Sequence, residues 1–289
     1  MRAAAIFGPR ASWKDVEPFS RVTGIITQAG SPPAKADAAL IFGGDGTVHR
    51  HLARLVEYHV PALIVPAGSG NDFARALGIA KLDDALAAWQ KFASDGTNVR
   101  TVDLGVISTA QERLTGRKND SVNRFFCCIG GTGFDAETNR RANALPAWLR
   151  AHGGYVVAAA RTLATWQPVK MRVELPEKNV VLDEPTSFVV FANAPSYGDG
   201  MRIAPHASLE DGMLDICFVR GTSKQRIVRH FASIYSGSHL SLREVEYFQV
   251  SRLRIETERP MDVYADGEFV CQTPIEVTVK PKALRVIRP

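Results

Sequence analysis

Residues 38–47 read AALIFGGDGT, and residues 62–72 read ALIVPAGSGND. In both stretches a short apolar run, typical of a buried β-strand, leads into a glycine-rich loop. Glycine has no Cβ atom, so backbone N–H groups and the amino terminus of a following helix can approach phosphate oxygens closely. The two stretches therefore predict two strand-loop-helix units that can bind a polyphosphate.

Helical signals follow both loops. After the first loop, apolar residues recur at i, i+4, i+7 and i+8, which predicts one buried helix face. After the second loop, Asn71 or Asp72 can cap a helix that Gly78 ends. A strand at 3–7 and a helix at 83–92 complete an alternation that predicts an α/β domain over residues 1–104. The residues of the first helical stripe are Val48, Leu52, Leu55 and Val56.

The pattern changes after Asp103, where strand-like segments dominate. Helical spacing interrupts them only at 154–166 and 223–235. Many short strands predict a β-sandwich over residues 105–280, and the tail at about 281–289 is expected to return to the first domain. The fold class predicted is thus α/β + β. The strand-like segments are 102–107, 124–129, 169–175, 187–192, 213–219, 247–256, 261–265 and 275–280.

Two aspartates lie in the glycine-rich loops. Carboxylates beside a phosphate site require a cation, so Asp45 and Asp72 predict Mg²⁺ with a nucleotide. The sequence has no GxxxxGK[ST], which excludes a P-loop. Residues 131–136 match the relaxed dinucleotide pattern GxGxxA, but no acidic residue follows about 20 positions later to hold a ribose. We interpret that match as chance.

The composition indicates a globular protein with anionic partners. The net charge is +5 and the pI is near 9.1, but basic residues form no long run, so nucleic acid is not an expected partner. Four cysteines without CxxC spacing indicate reduced core residues. The sequence shows neither a secretory signal nor an apolar run long enough for a membrane helix. We expect a cytoplasmic protein that touches membranes only peripherally.

Six motifs in order resemble the signature of the diacylglycerol kinase catalytic family, within the sphingosine kinase superfamily. The resemblance covers about residues 38–270. It rests on GGDGT at 43–47, PAGSGNDFAR at 66–75, VDLG at 102–105, GFDA at 133–136, Ala204-Pro205 with Asp211-Gly212, and Asp266-Gly267-Glu268. Asp266-Gly267 also has the composition of a hairpin turn.

The resemblance implies a fold and a set of site residues. It implies an amino-terminal α/β domain like that of NAD kinases, a carboxyl-terminal β-sandwich, and phosphoryl transfer from ATP to a lipid alcohol such as diacylglycerol. Glu268 would be the general base, with Asp45 as a second catalytic residue. Mg²⁺ would be bound by Asp45, Asp72 and Asp103, and a second Mg²⁺ by Ser208, Asp211 and Met213. ATP would be held by Gly43, Gly44, Asp45, Gly46, Thr47, Val48, His49, Gly68, Ser69, Asn71 and Asp72.

The chain departs from the family pattern at two places. Val48-His49-Arg50 follows GGDGT, where relatives usually have an aliphatic residue and Asn-Glu, so a base replaces an acid. The usual first loop is replaced by residues 8–12, GPRAS, and the segment before Gly43 is short, which predicts the loss of a helix. Both departures affect the expected ATP site.

The leading function is therefore a lipid kinase. Two alternatives remain open: a kinase of a soluble substrate such as NAD, and a catalytically weak nucleotide- or lipid-binding regulator. Arg140-Arg141 and residues 145–150, LPAWLR, have the composition of a membrane-contacting segment or of a cationic loop packed on the sandwich. The expected partner is a lipid at a membrane surface, and a homodimer is an open alternative.

Overall fold

The computed structural model describes residues 1–22, 25–109, 112, 124–146, 154–198 and 200–289. The chain divides into two compact units. Unit 1 consists of Met1–Leu104, Leu209–Asp211 and Lys280–Pro289, and unit 2 of Gly105–Ser208 and Gly212–Val279.

Unit 1 is built on a parallel sheet. Its strands are ordered β4 (Ala62–Pro66), β3 (Ala38–Gly43), β1 (Arg2–Phe7) and β2 (Ile25–Gln28), and all six residues of β3 are buried. Helices follow β3 and β4, as the sequence predicts. The elements are β1 (Arg2–Phe7), α1 (Glu17–Ser20), β2 (Ile25–Gln28), β3 (Ala38–Gly43), α2 (Asp45–Tyr58), β4 (Ala62–Pro66), α3 (Asp72–Ala76), α4 (Leu82–Ser94) and the first part of β5 (Val99–Thr109).

The helices of unit 1 confirm their sequence signals. All four residues of the predicted stripe on α2 are buried. Gly78 follows α3 with φ +82°, a left-handed conformation that suits glycine at a helix end. The prediction of a lost helix before β3 is wrong, because a 3₁₀ turn, Trp13–Val16, and α1 occupy that segment. Strand β2 escaped prediction because it lies at the sheet edge, where Ile25 is 62% exposed.

Unit 2 consists mainly of antiparallel strands. The long strand β9 (Val180–Ala192) pairs with β8 (Val169–Leu175) through its first half. Through its second half it pairs with β7 (Ile129–Gly133) and β10 (Leu214–Arg220). The elements are β6 (Phe125–Phe126), β7 (Ile129–Gly133), α5 (Phe134–Asn143), α6 (Gly154–Thr165), β8 (Val169–Leu175), β9 (Val180–Ala192), β10 (Leu214–Arg220), α7 (Lys224–His230), α8 (Ser233–Ser236), β11 (Val245–Val250), β12 (Arg252–Thr257), β13 (Asp262–Ala265), β14 (Glu268–Gln272) and β15 (Ile275–Ile287), whose last residues belong to unit 1.

Apolar side chains from these strands form the core of unit 2. Phe126, Phe191 and Phe218 are fully buried in it, together with aliphatic residues of β8, β12 and β15. The rings of Phe126 and Phe191 lie 5.4 Å apart. Each aromatic ring buried in this way removes a large apolar area from water, which stabilises the packed strands.

Several element boundaries differ from the sequence-based predictions. The segment predicted as one strand at 247–256 forms β11 and β12, and the helix predicted at 223–235 is broken into α7 and α8. The strand predicted at 124–129 ends at Phe126, and a new strand begins at Ile129. Helix α5 and strand β14 were not predicted. Because β7 is antiparallel to both neighbours, residues 131–136 are not part of a βαβ unit, which confirms that the dinucleotide match is chance.

Candidate active site

The two glycine-rich loops meet at the carboxyl ends of the parallel strands of unit 1. A Cβ atom on Gly68 would lie 2.5 Å from Cα of Gly44, so only glycine allows this approach. The loop after β1 joins them, because a Cβ atom on Gly8 would lie 2.5 Å from Oγ1 of Thr47. In open α/β sheets this edge is where ligands bind. Three loops therefore converge where a nucleotide would be expected.

The Asp45 carboxylate links the two loops. Its Oδ2 accepts a hydrogen bond from the N–H of Asp72 at 3.1 Å, and its Oδ1 accepts one from the N–H of Phe73 at 2.9 Å. These N–H groups belong to the first turn of α3, where a negative charge is favourable. Asp45 thus fixes the GGDGT loop against the PAGSGND loop.

Asn71 is the N-cap residue of α3, one of the two positions predicted, but its side chain makes no capping hydrogen bond. Asn71 has φ +56° and its side chain turns back to Gly68, accepting from the Gly68 N–H at 2.8 Å and donating to the Gly68 carbonyl at 3.0 Å. Asp72 is the first helical residue and is 3% exposed; its Oδ1 lies 3.0 Å from Arg75. Asn71 therefore shapes the loop, while the Asp45 carboxylate from another helix serves as the cap.

The residues of the GGDGT segment differ in what they can offer a nucleotide. The side chains of Thr47, Val48 and His49 are buried, so a ligand could meet this part of α2 mainly through backbone atoms. Ser69 in the second loop is exposed. Arg50, the base expected to replace an acid of the family pattern, is exposed, and its Nε donates to the Gly46 carbonyl at 3.1 Å. A guanidinium group therefore lies beside the first glycine loop.

Asp103 is the third aspartate predicted to bind Mg²⁺. It is 2% exposed, and its Oδ1 accepts a hydrogen bond from the N–H of Lys282 at 2.7 Å. Its own N–H donates to the Leu209 carbonyl at 2.7 Å. Asp103 thus contacts two segments distant in sequence that belong to unit 1. Its role toward a metal stays a prediction.

The second predicted metal site lies beside a turn. Gly212 has φ +71°, a left-handed conformation that suits glycine in a turn. Ser208 and Asp211 are exposed and Met213 is half-buried. The predicted binding of Mg²⁺ by these three residues stays a prediction.

Glu268 follows a tight turn in unit 2. Asp266 and Gly267 have φ +50° and +83° and join β13 to β14, which confirms the predicted hairpin. Glu268 is the first residue of β14 and is exposed. The side chain of Asn143 donates to the Gly267 carbonyl at 2.8 Å. The predicted base therefore stands next to a turn held from a second element.

Sequence reasoning missed the role of Asp266. Its carboxylate accepts hydrogen bonds from the N–H groups of Cys127 and Cys128, each at 2.9 Å, and of Ile129 at 3.3 Å. The Cys127 thiol lies 3.4 Å from the same carboxylate. Since these partners are about 140 positions away, no local sequence signal pointed to them. Asp266 thereby anchors the turn that carries Glu268.

The cysteines are free thiols, as the sequence predicts. Cys127, Cys128 and Cys217 are buried, and Cys271 is half-buried. Burial raises the pKa of the Cys217 thiol to about 12 and that of Cys271 to about 11. Within the described ranges, Cys127, Cys128 and Asp266 form the one group of three potential metal ligands whose atoms lie within 4.8 Å of one another.

Unit 2 contains a cavity that is lined mostly by apolar side chains. Its polar side includes Asp135, which is 6% exposed and accepts a hydrogen bond from the Tyr197 hydroxyl at 2.8 Å. Arg226 and Glu244, also at the wall, form an ion pair at 2.7 Å. The apolar lining residues are Phe134, Ala159, Phe188, Met201, Ile203, Val219, Ile227, Phe231, Ile234, Leu242 and Val245.

The segment predicted to contact membranes falls largely outside the described residues, which exclude 147–153. Arg140 and Arg141 do lie within them, on α5, and both pair with Glu137 at 2.7 Å. No described helix is both long enough and apolar enough to span a bilayer.

Two family models match the chain. Residues 15–107 match the diacylglycerol kinase catalytic domain, and residues 129–288 match the YegS C-terminal NAD kinase beta sandwich-like domain. Among solved structures, a putative diacylglycerol kinase from Bacillus anthracis has a TM-score of 0.75 at 19% identity, covering 100% of this chain and 97% of that one. An NAD kinase from Archaeoglobus fulgidus in complex with ATP has a TM-score of 0.53 at 13% identity, with 100% and 93% coverage. These similarities confirm the predicted fold, an α/β domain with a β-sandwich domain.

Named relatives agree with the family models. A diacylglycerol kinase of Mycobacterium tuberculosis is 34% identical over 253 residues, which are 88% of this chain and 77% of that protein. The putative lipid kinase YtlR of Bacillus subtilis is 27% identical over 259 residues, 87% of this chain and 80% of that one. The chain therefore belongs to the diacylglycerol kinase family.

Proposed function

We propose that this chain transfers the γ-phosphoryl group of ATP to the hydroxyl group of a lipid such as diacylglycerol. The mycobacterial and Bacillus relatives carry the names of diacylglycerol kinase and lipid kinase. The observation that carries the lipid assignment is the cavity of unit 2, whose lining consists mostly of aliphatic and aromatic side chains. An acyl chain gains free energy by leaving water for such a cavity, whereas a dinucleotide does not.

The converging glycine loops of unit 1 support ATP as the phosphoryl donor. Gly44 is the N-cap of α2, and its lack of a side chain leaves room for phosphate oxygens at the helix amino terminus. Asp45 holds both loops in one arrangement before ATP arrives, and the Arg50 guanidinium beside the first loop adds positive charge. Most of the catalysis of phosphoryl transfer comes from such positioning and charge neutralisation.

The aspartates of unit 1 fit a hydrated magnesium ion. Mg²⁺ prefers oxygen ligands and retains several waters, and Asp45 and Asp72 offer carboxylate oxygens at the edge where the loops meet. A Cβ atom on Gly70 would lie 3.1 Å from Oδ2 of Asp45 and 3.2 Å from Oδ2 of Asp72, so the two carboxylates converge there. Bound Mg²⁺ would neutralise the phosphate charge. We propose Asp103 as a further member of this set.

We propose Glu268 as the general base. Its carboxylate accepts the proton of the lipid hydroxyl while that oxygen forms a bond to the γ-phosphorus. The bond between the γ-phosphorus and the bridging oxygen breaks, and ADP leaves with that oxygen. Asp266 would keep Glu268 in a defined position through its hydrogen bonds to the β6–β7 turn.

We also propose a cytoplasmic location with peripheral membrane contact. All four cysteines are free thiols, which suits a reducing compartment. The acceptor is a membrane lipid, so the protein must reach a bilayer surface without spanning it.

A transfer assay tests these proposals. Purified protein, ATP labelled at the γ-phosphate and Mg²⁺ are incubated with diacylglycerol, sphingosine, ceramide or NAD. Glu268→Gln should lower kcat by about 10²-fold or more with ATP affinity unchanged, since the base is lost but the nucleotide site is intact. Glu258→Gln is the matched control, because Glu258 is also an exposed glutamate of unit 2.

The alternatives give different outcomes in the same assay. Phosphate transfer to NAD alone would overturn the lipid assignment and favour a soluble substrate. Nucleotide binding without transfer to any acceptor would indicate a regulator. Full activity of the Glu268→Gln variant would refute the proposed base while leaving the kinase assignment intact.

A further inference from the structure

A long acid-free stretch surrounds the helices α7 and α8. Between Asp215 and Glu244 the sequence contains no aspartate or glutamate. A chain with 30 acidic residues among 289 would ordinarily place some in such a stretch. The basic residues in it are Arg220, Lys224, Arg226, Arg229 and Arg243.

Some of these cations are neutralised and others are not. Arg226 and Arg243 pair with Glu244, at 2.7 and 3.0 Å. Lys224 and Arg229 form no ion pair within the part of the chain that the structure describes, and both are exposed. The Lys224 ammonium donates to the Ala164 carbonyl at 2.6 Å, which joins the beginning of α7 to the end of α6.

Exposed apolar side chains lie on α7, α8 and the neighbouring helix α6. Val228 on α7 is 62% exposed and Tyr235 on α8 is 50% exposed. On α6, Val156 is 61% and Val157 is 36% exposed, and the exposed Arg161 follows one turn later. Apolar side chains mixed with unneutralised cations are typical of surfaces that enter the headgroup region of an anionic membrane.

These helices also form a wall of the apolar cavity. The cavity is lined by Ile227 of α7, by Ile234 of α8 and by Phe231 between these two helices. Ala159 of α6 also lines it. No residue of α7 or α8 is buried, although both helices have apolar residues. Phe231 lines the cavity, whereas Tyr235, whose ring lies 6.3 Å from that of Phe231, is 50% exposed and does not line it. The same helix pair therefore has an apolar side toward the cavity and apolar residues toward solvent.

We propose that the outer face of α6, α7 and α8 docks onto a bilayer that contains anionic phospholipids. We define this docking face by Val156, Val157, Arg161, Val228, Arg229 and Tyr235. The three valine side chains and the tyrosine ring enter the headgroup region, and the guanidinium groups contact lipid phosphates. The proposal deepens the proposed function and rests on it, because docking here brings the wall of the acyl cavity to the lipid.

Vesicle binding tests the docking face independently of catalysis. The protein is sedimented with vesicles of phosphatidylcholine alone or of phosphatidylcholine with phosphatidylglycerol. The wild type should sediment mainly with the anionic vesicles, and added salt should release it. Arg161→Gln and Arg229→Gln should each weaken binding about fivefold, and Val228→Asn with Tyr235→Ser should weaken it further. Lys178→Gln and Val181→Asn, exposed residues near the β8–β9 turn that do not line the cavity, should leave binding unchanged.

Activity assays separate failure of docking from failure of the proposed function. With a short-chain diacylglycerol dispersed in detergent, the docking-face variants should keep wild-type activity. With long-chain diacylglycerol in anionic vesicles, their activity should fall about tenfold or more.

No transfer by the wild type in detergent would overturn the proposed function but not the docking face. Equal sedimentation of wild type and variants, or equal binding to neutral vesicles, would overturn the docking face. A change from dimer to monomer on mutation, with vesicle binding unchanged, would assign the face to a second copy and overturn the proposal.

Discussion

The Asp266 carboxylate shows how one side chain can position another. It accepts hydrogen bonds from three consecutive backbone N–H groups, and only one residue separates it from Glu268. Hydrogen bonds to a charged acceptor are stronger than neutral ones. Asp266 also has φ +50°, a conformation that asparagine adopts about as readily as aspartate. An asparagine at this position therefore tests the hydrogen bonds without changing backbone strain.

We predict that Asp266→Asn impairs catalysis through Glu268. The carboxylate accepts hydrogen bonds from backbone N–H groups, and the amide NH₂ of asparagine would face these donors without accepting from them. The free energy of unfolding should therefore fall by about 2 kcal/mol. Loosening of the turn should lower kcat about tenfold, while the KM for ATP should not change, because no ATP-binding residue is altered. Steady-state kinetics and urea unfolding check both effects. Asp262→Asn on β13, whose carboxylate accepts from the Gln272 side chain, is the matched control. A raised KM for ATP with unchanged kcat would contradict the positioning role.

A helix or strand could be predicted from the sequence where its signal lay in neighbouring residues. Helix α2 was predictable because its stripe repeats at helical spacing, and the hairpin before β14 because Asp-Gly favours tight turns. Helix α5 was missed because its sequence, FDAETNRRAN, has few apolar residues, although Phe134, Asp135 and Thr138 are buried. Its position is fixed by contacts such as Arg141 to the Arg161 carbonyl at 3.0 Å, which no local pattern reveals. In the candidate site, the glycine loops and their aspartates could be read from the sequence, whereas the Asp45 cap could not.

Glycine–aromatic pairs across strands are a second feature that only the fold reveals. Gly130 of β7 stands opposite Phe191 of β9, and Gly105 of β5 stands opposite Phe126 of β6. A Cβ atom on Gly130 would lie 2.2 Å from the Phe191 ring, and one on Gly105 would lie 1.9 Å from the Phe126 ring. In each pair the ring covers the glycine, so the strand has no space for a side chain there.

We predict that Gly130→Ala destabilises the protein by about 1 to 3 kcal/mol, because the methyl group would overlap the Phe191 ring. Urea unfolding followed by circular dichroism measures the change. Gly30→Ala is the control, since no heavy atom lies within 4 Å of its Cβ position, and it should change stability by less than about 0.5 kcal/mol. Combining Gly130→Ala with Phe191→Leu should restore part of the loss, because the smaller side chain leaves space. Strict additivity of the two losses would contradict the overlap.

For the whole molecule, the net positive charge should lower the free energy of unfolding at acidic pH. The chain already carries a net charge of +5 at pH 7 with its seven histidines neutral, so protonating them adds to the repulsion. Burial lowers the pKa of His239, and burial together with Arg50 lowers that of His51. Folding therefore favours the neutral form of both rings. The stability that each contributes is present above its unfolded pKa of about 6.5 and is lost as the pH falls through the lower, folded pKa.

We predict that His239 accounts for part of the acid sensitivity. Its Nε2 lies 3.0 Å from the Ile203 carbonyl and so carries the proton, while its buried Nδ1 has no hydrogen-bond partner among the described residues. Protonation would bury a charge there, so the unfolding free energy should fall below pH 6.5 with a slope of at most about 1.4 kcal/mol per pH unit for this group. His239→Gln can still donate to the Ile203 carbonyl but does not titrate, so its stability should depend less on pH. Urea unfolding of both proteins between pH 5 and 8 measures how the free energy of unfolding depends on pH. Parallel curves for the two proteins would show that His239 does not contribute. The pH dependence would then belong to His51 and the overall charge.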